Sequence, residues 1–154
     1  MIQRIQTVYF LIAAFLLVLL FSNPIGEIVV QNNLYLTFWH HKIESANSEL
    51  FIPVSTWPVT VLLSTIVLIE LIIVFLYKKR QIQIRLCIFN ILLLFGFVGL
   101  VYFFMNYTFN KQDITKSVFL WPIVCPMIAI ILNYLGLKAI QKDDRLVRSY
   151  DRIR

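Results

Sequence analysis

Glu70 is an acidic side chain inside an almost wholly apolar stretch, residues 57–77. A stretch of this length suits an α-helix that crosses a hydrocarbon core of about 30 Å. At about 1.5 Å of rise per residue, Glu70 lies about 12 Å from the basic residues that begin at Lys78. A charge at that depth costs roughly 2.5–3.5 kcal/mol on insertion scales. We therefore expect Glu70 to face protein and to have a partner there, or else to be protonated.

Two amides are predicted to lie at the same depth as Glu70. Asn90 follows Arg85 by five residues, and Asn133 precedes Lys138 by five. One polar layer could therefore join three helices. Such a layer can serve as a proton or ion relay, or it can be an interhelical hydrogen-bond cluster. The cluster is favoured because a relay normally needs several ionisable groups, and Glu70 is the sole acid in the predicted spans. A cation on another subunit is a third partner to consider.

Histidines and cysteines offer little further chemistry. His40 and His41 are adjacent, and neighbouring residues of a strand point to opposite faces, so we expect no shared metal ion. Cys87 and Cys125 lie in separate apolar runs, where a thiol behaves as a small hydrophobe. No CxxC pair, phosphate-binding glycine loop or nucleophile with a base is visible. The sequence therefore predicts a protein that is not an enzyme and that has no cofactor and no metal.

The amino-acid composition indicates the class of protein in which these residues lie. Of 154 residues, 60% are hydrophobic and 14% are charged, against about 45–50% and about 25% in soluble domains. A soluble core of this size could not bury so many apolar side chains. We predict an all-α membrane protein with a four-helix transmembrane bundle. The net charge of +6 is attributed to membrane topology, and no nucleic acid is expected as a partner.

Four spans are predicted in a single membrane domain. They run at about 5–23, 57–77, 86–105 and 118–137, with extracytoplasmic loops at 24–56 and 106–117, a cytoplasmic loop at 78–85 and a cytoplasmic tail at 138–154. The first loop is expected to contain a small β-hairpin from 27–30 and 34–39. Pro122 and Pro126 are expected to bend span four. The tail is expected to continue that span as an amphipathic helix.

Basic residues fix the predicted orientation. Eleven of the fourteen lie at residue 4, in 78–85 or in 138–154, and the other three are Lys42, Lys111 and Lys116. Because cytoplasmic segments carry an excess of Lys and Arg, both termini are predicted to be cytoplasmic. The predicted location is the bacterial inner membrane.

The tail has a possible docking role. It places Leu146, Val147 and Tyr150 on one helical stripe beside four arginines suited to phosphates or carboxylates: Arg145, Arg148, Arg152 and Arg154. Docking to anionic lipid or to a partner and ordinary topological charge are equally good interpretations.

Short motifs at both ends of the chain resemble those of a known protein family. Residues 1–9, MIQRIQTVY, and residues 144–154, DRLVRSYDRIR, resemble a family of small four-span proteins of the Bacteroidota, the domain of unknown function 4293 family. The resemblance implies an integral inner-membrane protein and brings no assigned reaction. It suggests that the two ends meet each other or a common partner. The positions expected at that contact are Gln3, Arg4, Gln6, Arg148, Asp151 and Arg152.

The preferred functional prediction is a non-enzymatic accessory or scaffold subunit of a larger membrane complex, such as one for protein export or envelope biogenesis. Membrane lipids and other integral membrane proteins would be its partners, and no small-molecule substrate is identified. The alternative is a small transporter or proton-coupled channel that uses Glu70. A lipid-modifying enzyme ranks last, because it would need a metal or a nucleophile near His40 and His41.

Overall fold

The computed structural model describes residues 3–30, 34–45, 54–77, 79–111 and 114–151. Its long helices are α1 (Gln3–Ser22), α2 (Trp57–Phe75), α3 (Arg80–Lys111) and α4 (Val124–Asp151). A short 3-10 turn, Trp121–Ile123, leads into α4. Within the described part of the chain, four helical segments are long and apolar enough to cross a membrane: Ile5–Ser22, Trp57–Phe75, Arg80–Asn106 and Trp121–Arg145. The chain therefore has the architecture of a helical membrane protein.

The helices follow chain order around the bundle. α1 packs on α2 and α4, and α3 packs on the same two neighbours. Between α2 and α3 the chain turns tightly: the Leu76 N–H donates to the Ile72 carbonyl at 3.0 Å, and the Lys79 N–H donates to the Leu76 carbonyl at 3.0 Å. Gln3, this turn and Asp151 consequently lie at one end of the bundle, and the β-structure described next lies at the other.

Five short strands form one antiparallel sheet, β1 (Gly26–Val30), β2 (Leu34–Phe38), β3 (Lys42–Ser45), β4 (Val54–Ser55) and β5 (Ile114–Phe119). Their order is β4-β3-β2-β1-β5. The predicted hairpin is present as β1 and β2, with Ile28 opposite Leu36. β5 comes from the second predicted loop and pairs with β1. The sheet therefore joins the two long connections at one end of the bundle.

One face of the sheet packs onto the helices. Ile28, Leu36 and Ile43 are fully buried and belong to the same apolar cluster as Leu63 of α2 and Val101 of α3. At the start of β1 the approach is close. A Cβ atom on Gly26 would lie 3.2 Å from the Met105 side chain and 3.2 Å from the Val118 carbonyl oxygen. The absence of a side chain thus lets the sheet sit directly on α3.

Several expected local structures differ from what is observed. Most of the predicted loop 78–85 is the first part of α3, and the predicted loop 106–117 is helical to Lys111 before β5 begins. Val118, expected to open span four, lies in β5. The physical reason is that an apolar run marks where lipid begins and ends, whereas a helix can continue into water. At 32 residues, α3 is about 48 Å long, more than the hydrocarbon core needs.

The expected bend at the prolines of span four is also wrong. Pro122 lies in the 3-10 turn and Pro126 lies in the first turn of α4. At these positions the backbone N–H has no partner within its helix in any case, so proline costs nothing and favours helix initiation. The two prolines therefore begin the helix.

Candidate functional site

A polar layer crosses the centre of the bundle. Glu70 of α2, Asn90 of α3 and Asn133 of α4 are all fully buried. Asn90 Nδ2 donates a hydrogen bond to Glu70 Oε2, and Asn133 Nδ2 donates to Glu70 Oε1 at 3.1 Å. The structure thus brings together the three residues that the sequence places at one depth. Because α2 and α4 are not sequential neighbours in the bundle, Glu70 links helices across its middle.

Apolar side chains enclose the layer on both sides. Toward the sheet, the buried residues one turn away on the three helices are Ile66, Leu94 and Ala129. Toward the chain termini they are Ile73, Cys87 and Leu137. The carboxylate therefore lies between two apolar layers, where hydrogen bonds are strong and unpaired polar groups are costly.

Each asparagine directs its amide nitrogen at the carboxylate. Asn133 Nδ2 also donates to the Ala129 carbonyl at 3.0 Å, within its own helix. Within the described part of the chain, the carbonyl oxygens Oδ1 of Asn90 and Asn133 accept no hydrogen bond. One carboxylate that accepts from amides on two other helices is an arrangement that fixes helix positions in a membrane.

A second set of contacts lies near the α2–α3 turn. Gln83 is only 4% exposed, and its Nε2 donates to the Ile73 carbonyl at 3.1 Å, which satisfies a free carbonyl near the end of α2. Arg80 Nη2 lies 3.0 Å from Asp143 Oδ2 and ties α3 to α4. Sequence reasoning missed all three residues. The adjacent acids Asp143 and Asp144 in a mainly basic tail were the available signal for Asp143.

The chain matches a protein family described as a domain of unknown function, DUF4293, over residues 2–153. It belongs to this family. The match includes every described helix and strand, so the polar layer and both chain ends of this DUF4293 protein lie within the family region. No curated protein matches the chain.

The end motifs of the DUF4293 protein lie on adjacent helices. Gln3 and Arg4 are in the first turn of α1, and Arg148 and Asp151 are in the last turns of α4. Arg145 is exposed, whereas Arg152 and Arg154 lie outside the described residues.

Gln6 requires a correction to the predicted docking set. It is only 7% exposed and faces the bundle, because it lies one turn before the buried Phe10 on the same face of α1. Among the described residues its Nε2 has no hydrogen-bond partner. Gln6 is therefore not offered to an external partner.

The placement of His40 and His41 is a second correction. They occupy the turn between β2 and β3, where the Trp39 N–H donates to the Lys42 carbonyl at 2.9 Å. Their Nδ1 atoms lie 3.3 Å apart. The expectation of opposite faces fails because side chains alternate only in extended strands. In the described part of the chain, no group of three His, Cys, Asp or Glu side chains could hold a metal ion.

We expect His40 to make folding stability depend on pH. Burial, and secondly the nearby His41, lowers the pKa of His40 below 6.5. As the pH falls, the His40 imidazole therefore gains its proton at a higher pH in the unfolded chain than in the folded chain. The stability contribution is complete above pH 6.5 and is lost as the pH falls toward the lowered pKa of the folded state.

This pH dependence can be measured by thermal unfolding in detergent between about pH 7 and about pH 5. The unfolding midpoint should fall more steeply in the wild type than in His40→Gln. His41→Gln, which removes only the secondary cause, should give an intermediate slope. Equal slopes in all three proteins would show that His40 titrates as it does in the unfolded chain.

Proposed function

We propose that this DUF4293 protein is a non-enzymatic accessory or scaffold subunit of a larger complex in the bacterial inner membrane, such as one for protein export or envelope biogenesis. The observation that carries the proposal is the enclosed polar layer. Glu70 is the sole acid within the predicted spans, and its carboxylate accepts hydrogen bonds from two neighbouring helices. The polar groups inside the bundle thus hold the helices together, and the outer surfaces are left to bind partners.

Charge supports an orientation with both termini in the cytoplasm. The end of the bundle opposite the sheet carries most of the basic residues, among them Lys79, Arg80, Arg85, Lys138, Lys142 and Arg145. Cytoplasmic ends of membrane proteins carry such an excess. The sheet then lies on the extracytoplasmic side, at the mouth of the bundle.

The proposed docking surface is the basic end of α4 together with the start of α1. α4 continues about 20 Å beyond Lys138 to Asp151. The Arg80–Asp143 ion pair holds this extension against α3, so its direction is fixed before any partner binds. The residues assigned to docking to another integral membrane protein, or to anionic lipid beside it, are Gln3, Arg4, Arg145, Arg148, Asp151, Arg152 and Arg154.

Affinity purification from the native membrane in mild detergent tests the proposal, with a tag at the amino terminus that spares the tail. The wild type should recover other integral membrane proteins in stoichiometric amounts. Reversing two basic contacts in Arg145→Glu/Arg148→Glu should weaken binding by at least about 2 kcal/mol, or roughly thirtyfold, since each basic residue near the membrane contributes about 1 kcal/mol.

Lys42→Glu is the matched control, because it reverses a charge at the sheet end, where Lys42 pairs with Glu44. Recovery of partners should be unchanged in this variant. A wild-type protein that purifies alone or only with copies of itself would overturn the accessory proposal.

The alternative function, a small transporter or proton-coupled channel, requires a path to Glu70. The apolar layers on both sides of the carboxylate favour the scaffold over this alternative. Flux assays in proteoliposomes separate the two, because Glu70→Gln would abolish transport while leaving partner recovery intact.

A further inference from the structure

The outer surface of α4 changes from apolar to basic along the helix. Toward the sheet, its exposed side chains include Met127, Ile131, Tyr134 and Leu135. From residue 138 to residue 145, its exposed side chains are all basic: Lys138, Lys142 and Arg145. At about 3.6 residues per turn, all seven lie on one side of α4, opposite the buried Asn133 and Ile140. This outer stripe of α4 therefore has an apolar part and a cationic part.

The change from apolar to basic occurs close to one edge of the hydrocarbon core. Trp121, an exposed tryptophan at the sheet end, suits a membrane interface. Lys138 follows it by 17 residues, or about 26 Å of helix, in a core that is about 30 Å thick. The ammonium group of Lys138 therefore extends along the helix to reach the headgroups. The anions at that depth are the phosphates of lipid headgroups, whereas acidic groups of soluble molecules stay in the water beyond them.

The acids of this segment are turned away from the outer stripe. Asp143 and Asp144 are both half-buried, and Asp143 Oδ2 lies 3.0 Å from Arg80 Nη2 of α3. The helices on either side of α4, which are α1 and α3, contain no Asp or Glu. Carboxylates of the neighbouring helices thus do not offset the positive charge of the stripe, and this charge complements an anionic ligand.

Two of the three cations are spaced to share one phosphate. Lys138 and Lys142 lie about one turn apart, which places their Cβ atoms about 5–6 Å from each other. Lys138 Nζ lies 4.7 Å from the centroid of the Tyr134 ring, and this cation–π contact keeps the ammonium on the outer side of the helix. We propose that Lys138 and Lys142 bind the headgroup phosphate of an anionic phospholipid, whose acyl chains lie along the apolar part of the stripe.

An anionic lipid fits the outer stripe better than a zwitterionic one. A zwitterionic headgroup carries its own cation, which repels the two lysines, whereas an anionic headgroup brings a net negative charge to them. The lipid site goes beyond the proposed function, because one chain forms it and no partner protein is required. It also differs from the docking surface in position, since its lysines face the lipid and not the end of the bundle.

Native mass spectrometry of the purified protein tests the lipid site. The protein in detergent is titrated with phosphatidylglycerol or with phosphatidylcholine of the same acyl chains, and the bound lipids are counted. The wild type should bind phosphatidylglycerol roughly thirtyfold more tightly, since each lysine near the headgroups contributes roughly a fivefold gain. Lys138→Gln/Lys142→Gln should remove this preference. Tyr134→Leu, which leaves both charges in place, should weaken phosphatidylglycerol binding roughly two- to fivefold.

Lys79→Gln/Arg85→Gln is the matched control. Both residues are exposed at the same end of the bundle, and the change in net charge is the same, so the preference for phosphatidylglycerol should persist. Equal affinity of the wild type for the two lipids would overturn the proposal, and so would an equal loss of preference in the two double variants. Displacement of the lipid by inorganic phosphate at a comparable concentration would also contradict it, because the acyl chains would then contribute nothing.

Discussion

Replacing Glu70 by alanine should destabilise the bundle by about 2–4 kcal/mol. The substitution leaves a cavity and removes the acceptor for amides on two other helices. An unsatisfied buried donor costs about 1–3 kcal/mol, although measured interhelical hydrogen bonds in membranes average about 0.6 kcal/mol. The cavity adds to this cost. Unfolding titrations in detergent, followed by helical circular dichroism, give the change in free energy.

Glu70→Gln and Thr65→Val separate the network from general effects of substitution. Glutamine keeps one acceptor oxygen, and its amide can donate to Oδ1 of Asn90 or of Asn133, neither of which accepts a hydrogen bond from a described residue. The loss should therefore stay below about 1 kcal/mol. Thr65 lies on α2 and donates to the Val61 carbonyl of its own helix at 2.8 Å. Its replacement should leave interhelical packing intact.

The outcome bears on function as well as on stability. If the free energy of unfolding of Glu70→Ala equals that of the wild type, the polar layer does not hold the helices together. The scaffold proposal then loses its main support. Leucine at all three positions should restore most of the stability, because a matched apolar core replaces a buried polar network with little loss. A bundle that requires the acid for activity but not for stability would point to transport.

The polar layer could be predicted because depth can be counted in a membrane helix. Basic residues mark the cytoplasmic boundary, and a fixed rise per residue converts sequence distance into depth. The count places Glu70 eight residues, and Asn90 and Asn133 five residues, from their basic neighbours, so the three depths agree to within about 5 Å. The structure brings the three side chains into contact. The same method cannot give the direction in which each side chain points. That depends on helix rotation, which is set by packing.

Strand β5 and the turn that contains His40 and His41 show where prediction from neighbouring residues alone fails. Strand β5 is stabilised by pairing with β1, which lies far away in the sequence. Four of its six residues favour strands, but the segment was divided between a predicted loop, 106–117, and a predicted span that began at Val118. The turn at His40 and His41 lacks glycine, proline and asparagine, the residues that usually mark turns. A strand was therefore assumed to continue through it, and the contact between the two rings was missed.

The helix contact at Gly136 was missed for a related reason. Gly96 and Gly99 lie three residues apart on α3, but a Cβ atom on either would meet no atom of another described residue within 4 Å. Spans that are apolar on all sides give no indication of which face meets another helix. A single glycine at the α1–α4 interface is recognisable only when the opposite side chain is known.

Valine at Gly136 should destabilise the protein by about 3 kcal/mol. A Cβ atom there would lie 2.6 Å from Cζ of Phe10, a fully buried ring of α1. The ring is rigid and enclosed, so α1 and α4 must move apart to admit the larger side chain. Overpacking of this kind costs typically 1–3 kcal/mol, and valine loses further rotamer freedom in a helix. The same unfolding titrations measure the effect.

Gly99→Val is the matched control, since it introduces the same side chain into a membrane helix at a point where the new Cβ atom would meet no atom of another described residue within 4 Å. Its effect should stay within about 1 kcal/mol. Phe10→Ala alone should also destabilise, because it empties a buried position, yet combined with Gly136→Val it should cost less than the sum of the two changes by roughly 1–3 kcal/mol. Additive losses would mean that Phe10 and Gly136 are not in contact and that α1 and α4 pack through other residues.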